Sequence, residues 1–528
     1  MGIEHAINLT DTSLETAIAE ANLNGGFDVG LEMSGAESAL NDQLQFVRAG
    51  GDVALFGLSS RSTTSFPVNA AVVKGLSFKG MKVFLMTQHA YIERFVNLLK
   101  PESNLIFNMS VEEATARVGS GDPQQVREIS GQFALVHRNG TIIRLARSIG
   151  RPLRYFLAKQ IDGPCLVVAE RMDEIAEWLK QEGLDDQFHP SYTRMVPAHY
   201  IQELALIGCP DPSPQNTRYF TPQRNRLSTD PDEIGREYIS ALRESVNRWL
   251  DQIPESEPLG VMFSGGIDSG AVFLTVYRCL LDRGQSPARL KAFTLSVDAE
   301  GGDAEQAHRF LSDLDLNMFL EVVEVPAAAV DYREAIRVIE DYKPLDVQAA
   351  AMGLALCREI RRRYPNWKYL IDGDGGDENL KDYPIEENPE LTIRSVLNNP
   401  LLYHEGWGVE AVKHSLTYSG GQSRGHVRTW APAATSGFTG FSPFAVPDVI
   451  EVSEGIPFIE LTDWSHERLY SLKGEIVRRG VEQVLGFTMP IFEKCRMQHG
   501  AANRQKFDAL FPTAERAYRE AFAETFAH

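Results

Sequence analysis

The stretch that most constrains this chain is Val261-Met262-Phe263-Ser264-Gly265-Gly266-Ile267-Asp268-Ser269-Gly270, an apolar run that ends in a glycine turn and enters a helical pattern over 271–281. A strand, a glycine turn and a helix N-terminus together make an anion cradle. The N–H groups of the turn point at the ligand and the helix dipole favours negative charge. Gly265 and Gly266 allow the backbone to approach a phosphate closely, and Ser264 and Ser269 add hydroxyl donors. Asp268 cannot donate to a phosphate, because a carboxylate only accepts. An acid in such a cradle implies a bridging hard cation, Mg2+. The spacing is not the Gly-x-x-x-x-Gly-Lys-Ser/Thr of kinases and GTPases.

A second apolar run, Lys368-Tyr369-Leu370-Ile371, ends in Asp372-Gly373-Asp374-Gly375-Gly376-Asp377-Glu378. So many acids around three glycines would repel one another without a cation. At the carboxyl end of a strand in an open sheet, they would face the first loop across the crevice.

Together the two stretches resemble the Ser-Gly-Gly-x-Asp-Ser and Ser-Gly-Asp/Glu-Gly-x-Asp-Glu loops of the asparagine synthetase family, in the same order. The resemblance covers roughly residues 104–505. It implies an ATP pyrophosphatase domain that activates a carboxylate as an acyl-adenylate, releases pyrophosphate and lets a nitrogen nucleophile attack. On this resemblance Asp268 and Asp377 hold Mg2+, and Asp372 and Gly373 contact nucleotide and substrate. Leu295 and Val297, in the strand pattern 290–297, are candidates for the adenine and equally for sheet core. Asp374 stands at the position that varies by reaction. Ammonia-using members carry an acid there, and β-lactam-forming relatives a tyrosine paired with a downstream glutamate. An acid could orient or deprotonate an attacking amine, and Glu405 and Glu410 lie at a comparable separation for its partner. Lys494 precedes Gly500 by the spacing of the family's catalytic lysine, in a segment similar to Arg-Pro-Lys-x-x-Phe-x-Asp-Gly. A cation there would neutralise the phosphates and a developing oxyanion. His499 replaces an acid of that segment, and the arginine expected before Pro443-Phe444 is missing. Residues 342–346 fill the slot of substrate-facing residues, and Lys473 reads as the opening of a helix like the family's Leu-Lys.

Upstream, strand and helix patterns alternate through residues 12–80 in a doubly wound manner. This part is similar to the second half of the nucleotide-binding domain of zinc-dependent threonine dehydrogenases, most closely over 26–58. It lacks a Gly-x-Gly-x-x-Gly, an acid for a ribose and a Cys/His constellation. A structural or partner-binding remnant is therefore expected, not an NAD site. Residues 125–136 and 141–147 read as paired strands. With Leu145-Ala146-Arg147, Val167-Val168-Ala169-Glu170 and 196–200, they resemble strands of the N-terminal-nucleophile glutaminases. Such an enzyme needs a cysteine at its mature N-terminus. The chain opens Met1-Gly2-Ile3-Glu4, and its first cysteine is Cys165.

The net charge of −20 argues against a nucleic-acid partner. Five scattered cysteines without a Cys-x-x-Cys pair point to a reducing compartment and away from structural zinc. No apolar run reaches the ~18 residues of a membrane span, and no secretory leader is read at the start, so a cytoplasmic protein is expected. The expected fold is α/β: a parallel-sheet synthetase domain with a helical C-terminal part (210–528), after a partial Rossmann-like segment (1–103) and a degenerate glutaminase-like β-rich domain (104–209). A Pro-rich linker is expected at 210–221. The expected activity is an ATP- and Mg2+-dependent amide-forming ligase, without glutaminase activity, acting on a small specialised metabolite in the manner of β-lactam synthetases. Ammonia-dependent asparagine synthesis is the alternative, and a catalytically dead scaffold a reading of another class. Small-molecule carboxylate and amine or ammonia partners are expected; a homo-oligomer is left open.

Overall fold

A computed structural model describes residues 13–20, 25–32, 37–55, 68–80, 94–160, 163–205, 214–299, 301–382, 385, 392–398, 428–492, 500–502 and 504–526. The chain divides into two compact units, Met1–Ala90 and Tyr91–His528.

The first unit is a β-α-β-α-β run. Strands Phe27–Glu32, Val47–Leu55 and Ser77–Gly80 lie side by side in that order, all parallel. Helices Glu37–Phe46 and Val68–Lys74 make the crossovers, and Leu40, Val47 and Val53 form its small core. The first crossover helix ends at Phe46, directly before strand Val47–Leu55. Val47 pairs with Phe27, and the glycine pair at 50–51, with Gly50 at φ 76°, favours leaving the helix.

The second unit begins with a β-sandwich. Strand Arg94–Asn97, inside the first of the three expected segments, runs parallel to Gly163–Ala169 and belongs to the sandwich. One four-stranded sheet is ordered Arg194–Met195, Arg154–Gln160, Gly163–Ala169, Arg94–Asn97; the other is ordered Gln215–Arg218, Tyr200–Ala205, Ile142–Arg147, Ala134–Asn139. Ala134, Ile143, Leu145 and Leu204 of one sheet meet Leu166 and Val168 of the other in a shared core. Helix Val111–Ser120 covers one outer face and Met172–Gln181 the other. Two expectations are corrected here. Residues 125–127 are helical, because Asp122 caps Gln124 and Pro123 takes the first helical position. The expected linker contains a strand, Gln215–Arg218, paired with Tyr200–Glu203, and Tyr219 and Phe220 beyond it are buried.

The remainder is built on a five-stranded parallel sheet ordered Leu320–Val325, Leu290–Val297, Leu259–Met262, Tyr369–Ile371, Thr439–Phe441. These strands are apolar almost throughout, as strands covered on both faces must be. Helices Pro231–Asp251, Ile267–Asp282 and His466–Leu485 pack on one face. Helices Tyr332–Ile339, Pro344–Arg363 and Glu515–Phe526 pack on the other. The chain moves outward from Leu259–Met262 on one side, then returns to place Tyr369–Ile371 on its opposite side. That reversal is a topological switch point, where open α/β sheets bind ligands beyond the carboxyl ends of their strands. Among the described residues, no helix is long and apolar enough to cross a membrane.

Candidate functional site

The glycine turn and the acidic loop leave the two strands that flank the switch point. Leu259, Gly260 and Val261 are in register with Tyr369, Leu370 and Ile371, so Ser264 and Asp372 emerge at nearly the same level. Gly265 has φ 72°, and a β-carbon there would stand 2.8 Å from the Ala307 nitrogen, so only glycine suits the turn. Gly266 precedes helix Ile267–Asp282. Its N–H donates to Ser264 Oγ at 3.3 Å, and Ser264 Oγ lies 3.3 Å from Ser269 Oγ. The expected cradle residues Ser264, Gly265, Gly266 and Ser269 thus form one turn at a helix N-terminus.

The acidic loop packs directly on that helix start. A β-carbon at Gly373 would stand 2.9 Å from the Ser269 nitrogen, and one at Gly376 would collide with the Asp268 carboxylate. Asp372 is buried; its Oδ2 accepts from Ser442 Oγ at 3.0 Å and its Oδ1 from the Asp374 N–H at 3.0 Å. Asp374 Oδ2 accepts from Thr429 Oγ1 at 2.6 Å. Burial raises the pKa of both Asp372 and Asp374, and the Asp372 charge adds to the rise at Asp374.

Asp268 and Asp377 converge, as the resemblance implies, but on an ammonium. Lys473 Nζ donates to Asp268 Oδ2 at 2.6 Å and to Asp377 Oδ1, and lies 3.5 Å from Asp382 Oδ2. Lys473 is 2% exposed. Burial alone would lower its pKa, but Asp268, Asp377 and Asp382 outweigh it, and the net shift is well upward. The sequence reading placed Lys473 at a helix opening. Instead the helix starts at His466, capped by Ser465, which puts Lys473 on its buried stripe with Leu469, Leu472 and Ile476. A lysine on an apolar stripe is the signal that could have found it. Among the described residues, no cluster of three or more His, Cys, Asp or Glu side chains is arranged to hold a metal.

Leu295 and Val297 are both buried in the sheet core with Val323 and Val325. Lys494 lies outside the described residues, as do Glu405 and Glu410. The nearby segment Gly500–Ala502 meets the carboxyl end of strand Leu290–Val297, where Ala501 O accepts from the Val297 N–H at 2.9 Å. Arg428, which sequence reasoning missed, donates to Asp346 Oδ1 at 2.8 Å beside Thr429.

Asp341 lies near Asp346. It is 5% exposed, and its Oδ1 accepts from the N–H groups of Tyr342 and Lys343. Burial, then the neighbouring Asp346, pushes its pKa up to about 7. An unfolded aspartate releases its proton near pH ~4. Between those values the folded state holds more protons, so this group's contribution makes stability fall as pH rises. Asp341→Asn keeps an acceptor oxygen for the two N–H groups and removes the buried charge. Its Tm should be close to wild type at low pH and exceed it by several degrees at pH 8. A difference that does not change with pH, in thermal melts across that range, would contradict this.

Residues 237–435 match the family model of asparagine synthase, and residues 1–100 match that of zinc-binding dehydrogenases. The L-threonine 3-dehydrogenase of Vibrio vulnificus (strain CMCP6) is 41% identical over 81 residues, covering 15% of this chain and 23% of that protein. That of Burkholderia vietnamiensis (strain G4 / LMG 22486) is 42% identical over 81 residues, with the same coverage. The chain thus spans less than a quarter of the length of these curated relatives. The chain carries an asparagine synthase domain over residues 237–435, which contains both loops of the site, and a zinc-binding dehydrogenase segment over residues 1–100.

Proposed function

We propose that this protein is an ATP-dependent carbon–nitrogen ligase that adenylates a carboxylate, releases pyrophosphate and transfers the acyl group to an amine. One observation carries the reading: the glycine cradle and the acidic loop leave adjacent parallel strands at the switch point, with Asp268 and Asp377 converging on one cation. Asp268 and Asp377 offer hard carboxylate oxygens, the donor chemistry Mg2+ takes, and the ammonium between them marks the place as one that needs positive charge. The residues therefore fit a magnesium ion, held by Asp268 and Asp377. Bound there, it would neutralise the triphosphate and the departing pyrophosphate.

The chain's own groups supply the rest. The N–H groups of Gly265 and Gly266 and the hydroxyls of Ser264 and Ser269 hold phosphate oxygens. Asp372 and Gly373 line the nucleotide and substrate side. Asp374, half-buried with a raised pKa and fixed by Thr429, orients the amine and takes its proton. Lys494 is proposed to stabilise the developing oxyanion, and Glu410 to pair with the nucleophile-activating acid. The 94–218 sandwich is read as a glutaminase-derived layer without its nucleophile. The favoured substrate is a small specialised metabolite carrying or meeting an amine, in the manner of β-lactam synthetases. The acid at 374 is the feature that favours the second reading, ammonia-dependent asparagine synthesis.

Pyrophosphate release, screened over amino acids with ammonia, with glutamine or with neither, tests the reading. Release is expected with ammonia or with a substrate that carries its own amine, and glutamine should add nothing above background. Glutamate formed from glutamine, and lost on mutation within the sandwich, would refute the glutaminase part. No release from any carboxylate would refute the ligase.

A further inference from the structure

We propose that Lys473 is a built-in stand-in for the metal: it holds Asp268 and Asp377 together before ATP arrives, and it excludes a bare divalent cation until the nucleotide brings one. The inference rests on the nucleotide and metal reading above and goes beyond it to the order of binding. Three observations carry it. The ammonium donates to one oxygen of each carboxylate that would hold the metal, one carboxylate in each loop. It has a third carboxylate, Asp382, 3.5 Å away. It is presented from a separate element, a helix of 20 residues fixed by the Ser465 cap and buried along Leu469, Leu472 and Ile476.

The physical consequence is competition. A divalent ion approaching Asp268 and Asp377 meets oxygens already engaged and a like charge between them. Moving the ammonium aside without a replacement anion would leave a buried cation unpaired, which is costly. A triphosphate in the adjacent glycine cradle changes this. It adds negative charge that both the metal and the displaced ammonium can use, and the long unbranched stem of lysine lets Nζ move without moving its helix. Lys473 is in this sense a positioning residue. It keeps two mutually repelling carboxylates, on loops from different strands, at the separation a cation requires.

The test is Mn2+ binding to the full chain, read by electron paramagnetic resonance, with and without α,β-methylene-ATP, for wild type and Lys473→Met. Wild type should bind Mn2+ weakly alone and at least about tenfold more tightly with the analogue. Lys473→Met removes the competing charge and keeps the stem. It should bind Mn2+ alone about tenfold or more tighter than wild type does. In EDTA its Tm should fall by several degrees, because the facing carboxylates lose their cation. Millimolar Mg2+ should restore that Tm while hardly moving the Tm of wild type. A folded Lys473→Met that binds bare Mn2+ no more tightly than wild type overturns the proposal and leaves the ligase reading standing. Should Lys473→Met not fold, wild type decides alone: bare Mn2+ bound as tightly as with the analogue overturns the proposal. No Mn2+ bound even with the analogue overturns both this proposal and the nucleotide reading.

Discussion

Asp268→Asn and Asp377→Asn are each expected to lower pyrophosphate release by at least ~10²–10³-fold, the loss typical of removing one preorganised electrostatic contact to developing charge. Each change keeps the shape of the side chain and removes one of two carboxylates that converge on a single point between the loops. The loss should appear in turnover more than in nucleotide affinity, because on the proposed reading the backbone N–H groups of the glycine turn would still hold the phosphates. Asp382→Asn is the control. Its oxygen is 3.5 Å from the ammonium, outside hydrogen-bonding distance of the best charge-assisted pairs, and its loss should be under about tenfold. Steady-state pyrophosphate assays on folded variants decide the matter. Near-normal turnover in either Asp268→Asn or Asp377→Asn, or an Asp382→Asn as damaged as they are, would remove the metal assignment.

Arg154→Met should destabilise the second unit by about 3–5 kcal/mol, the cost of leaving one partner of a buried ion pair alone. Arg154, in a sandwich strand, is 1% exposed and its Nε lies 2.7 Å from Glu340 Oε2; Glu340 is 3% exposed. Among the described residues, Glu340 would keep the Met172 N–H at 2.6 Å and Arg171 at 3.5 Å. Burial raises the Glu340 pKa, and Arg154 and Arg171 pull it back. Without Arg154 the carboxyl takes up a proton more readily. The folded pKa then stands further above the unfolded one, so the destabilisation should be smaller at pH 5 than at pH 8. Denaturant unfolding at the two pH values measures this, and a variant within about 1 kcal/mol of wild type at both would refute it. Glu340 adjoins Asp341 and the start of helix Pro344–Arg363, so activity should fall with stability. The ion pair thus ties a sandwich strand to the segment that precedes helix Pro344–Arg363.

Much of the site was legible because it is written locally. A run of apolar residues, two glycines and a helix-forming stretch specify a strand, a turn and a helix N-terminus within about twenty residues. The strand Leu290–Val297 was read for the same reason, since its determinants are neighbours in sequence. The errors arose where short-range competition decided. Asp122-Pro123 turned an expected strand start into helix, and pairing with Tyr200–Glu203 turned an expected linker into strand.

The sequence by itself determined which residues could cradle a phosphate, which carboxylates could share a cation, and that the chain joins a synthetase domain to a dehydrogenase-like segment. Only the tertiary structure decided what meets those groups. Lys473 reaches Asp268 across 205 residues, Ser442 reaches Asp372 across 70, Thr429 reaches Asp374 across 55, and Arg154 reaches Glu340 from another layer. The reason is physical. Backbone conformation follows from local sterics and hydrogen bonding, which a short stretch carries in full. Partners for a buried charge are chosen by how whole helices and sheets pack, and an unpaired charge there costs too much for the fold to leave unmet.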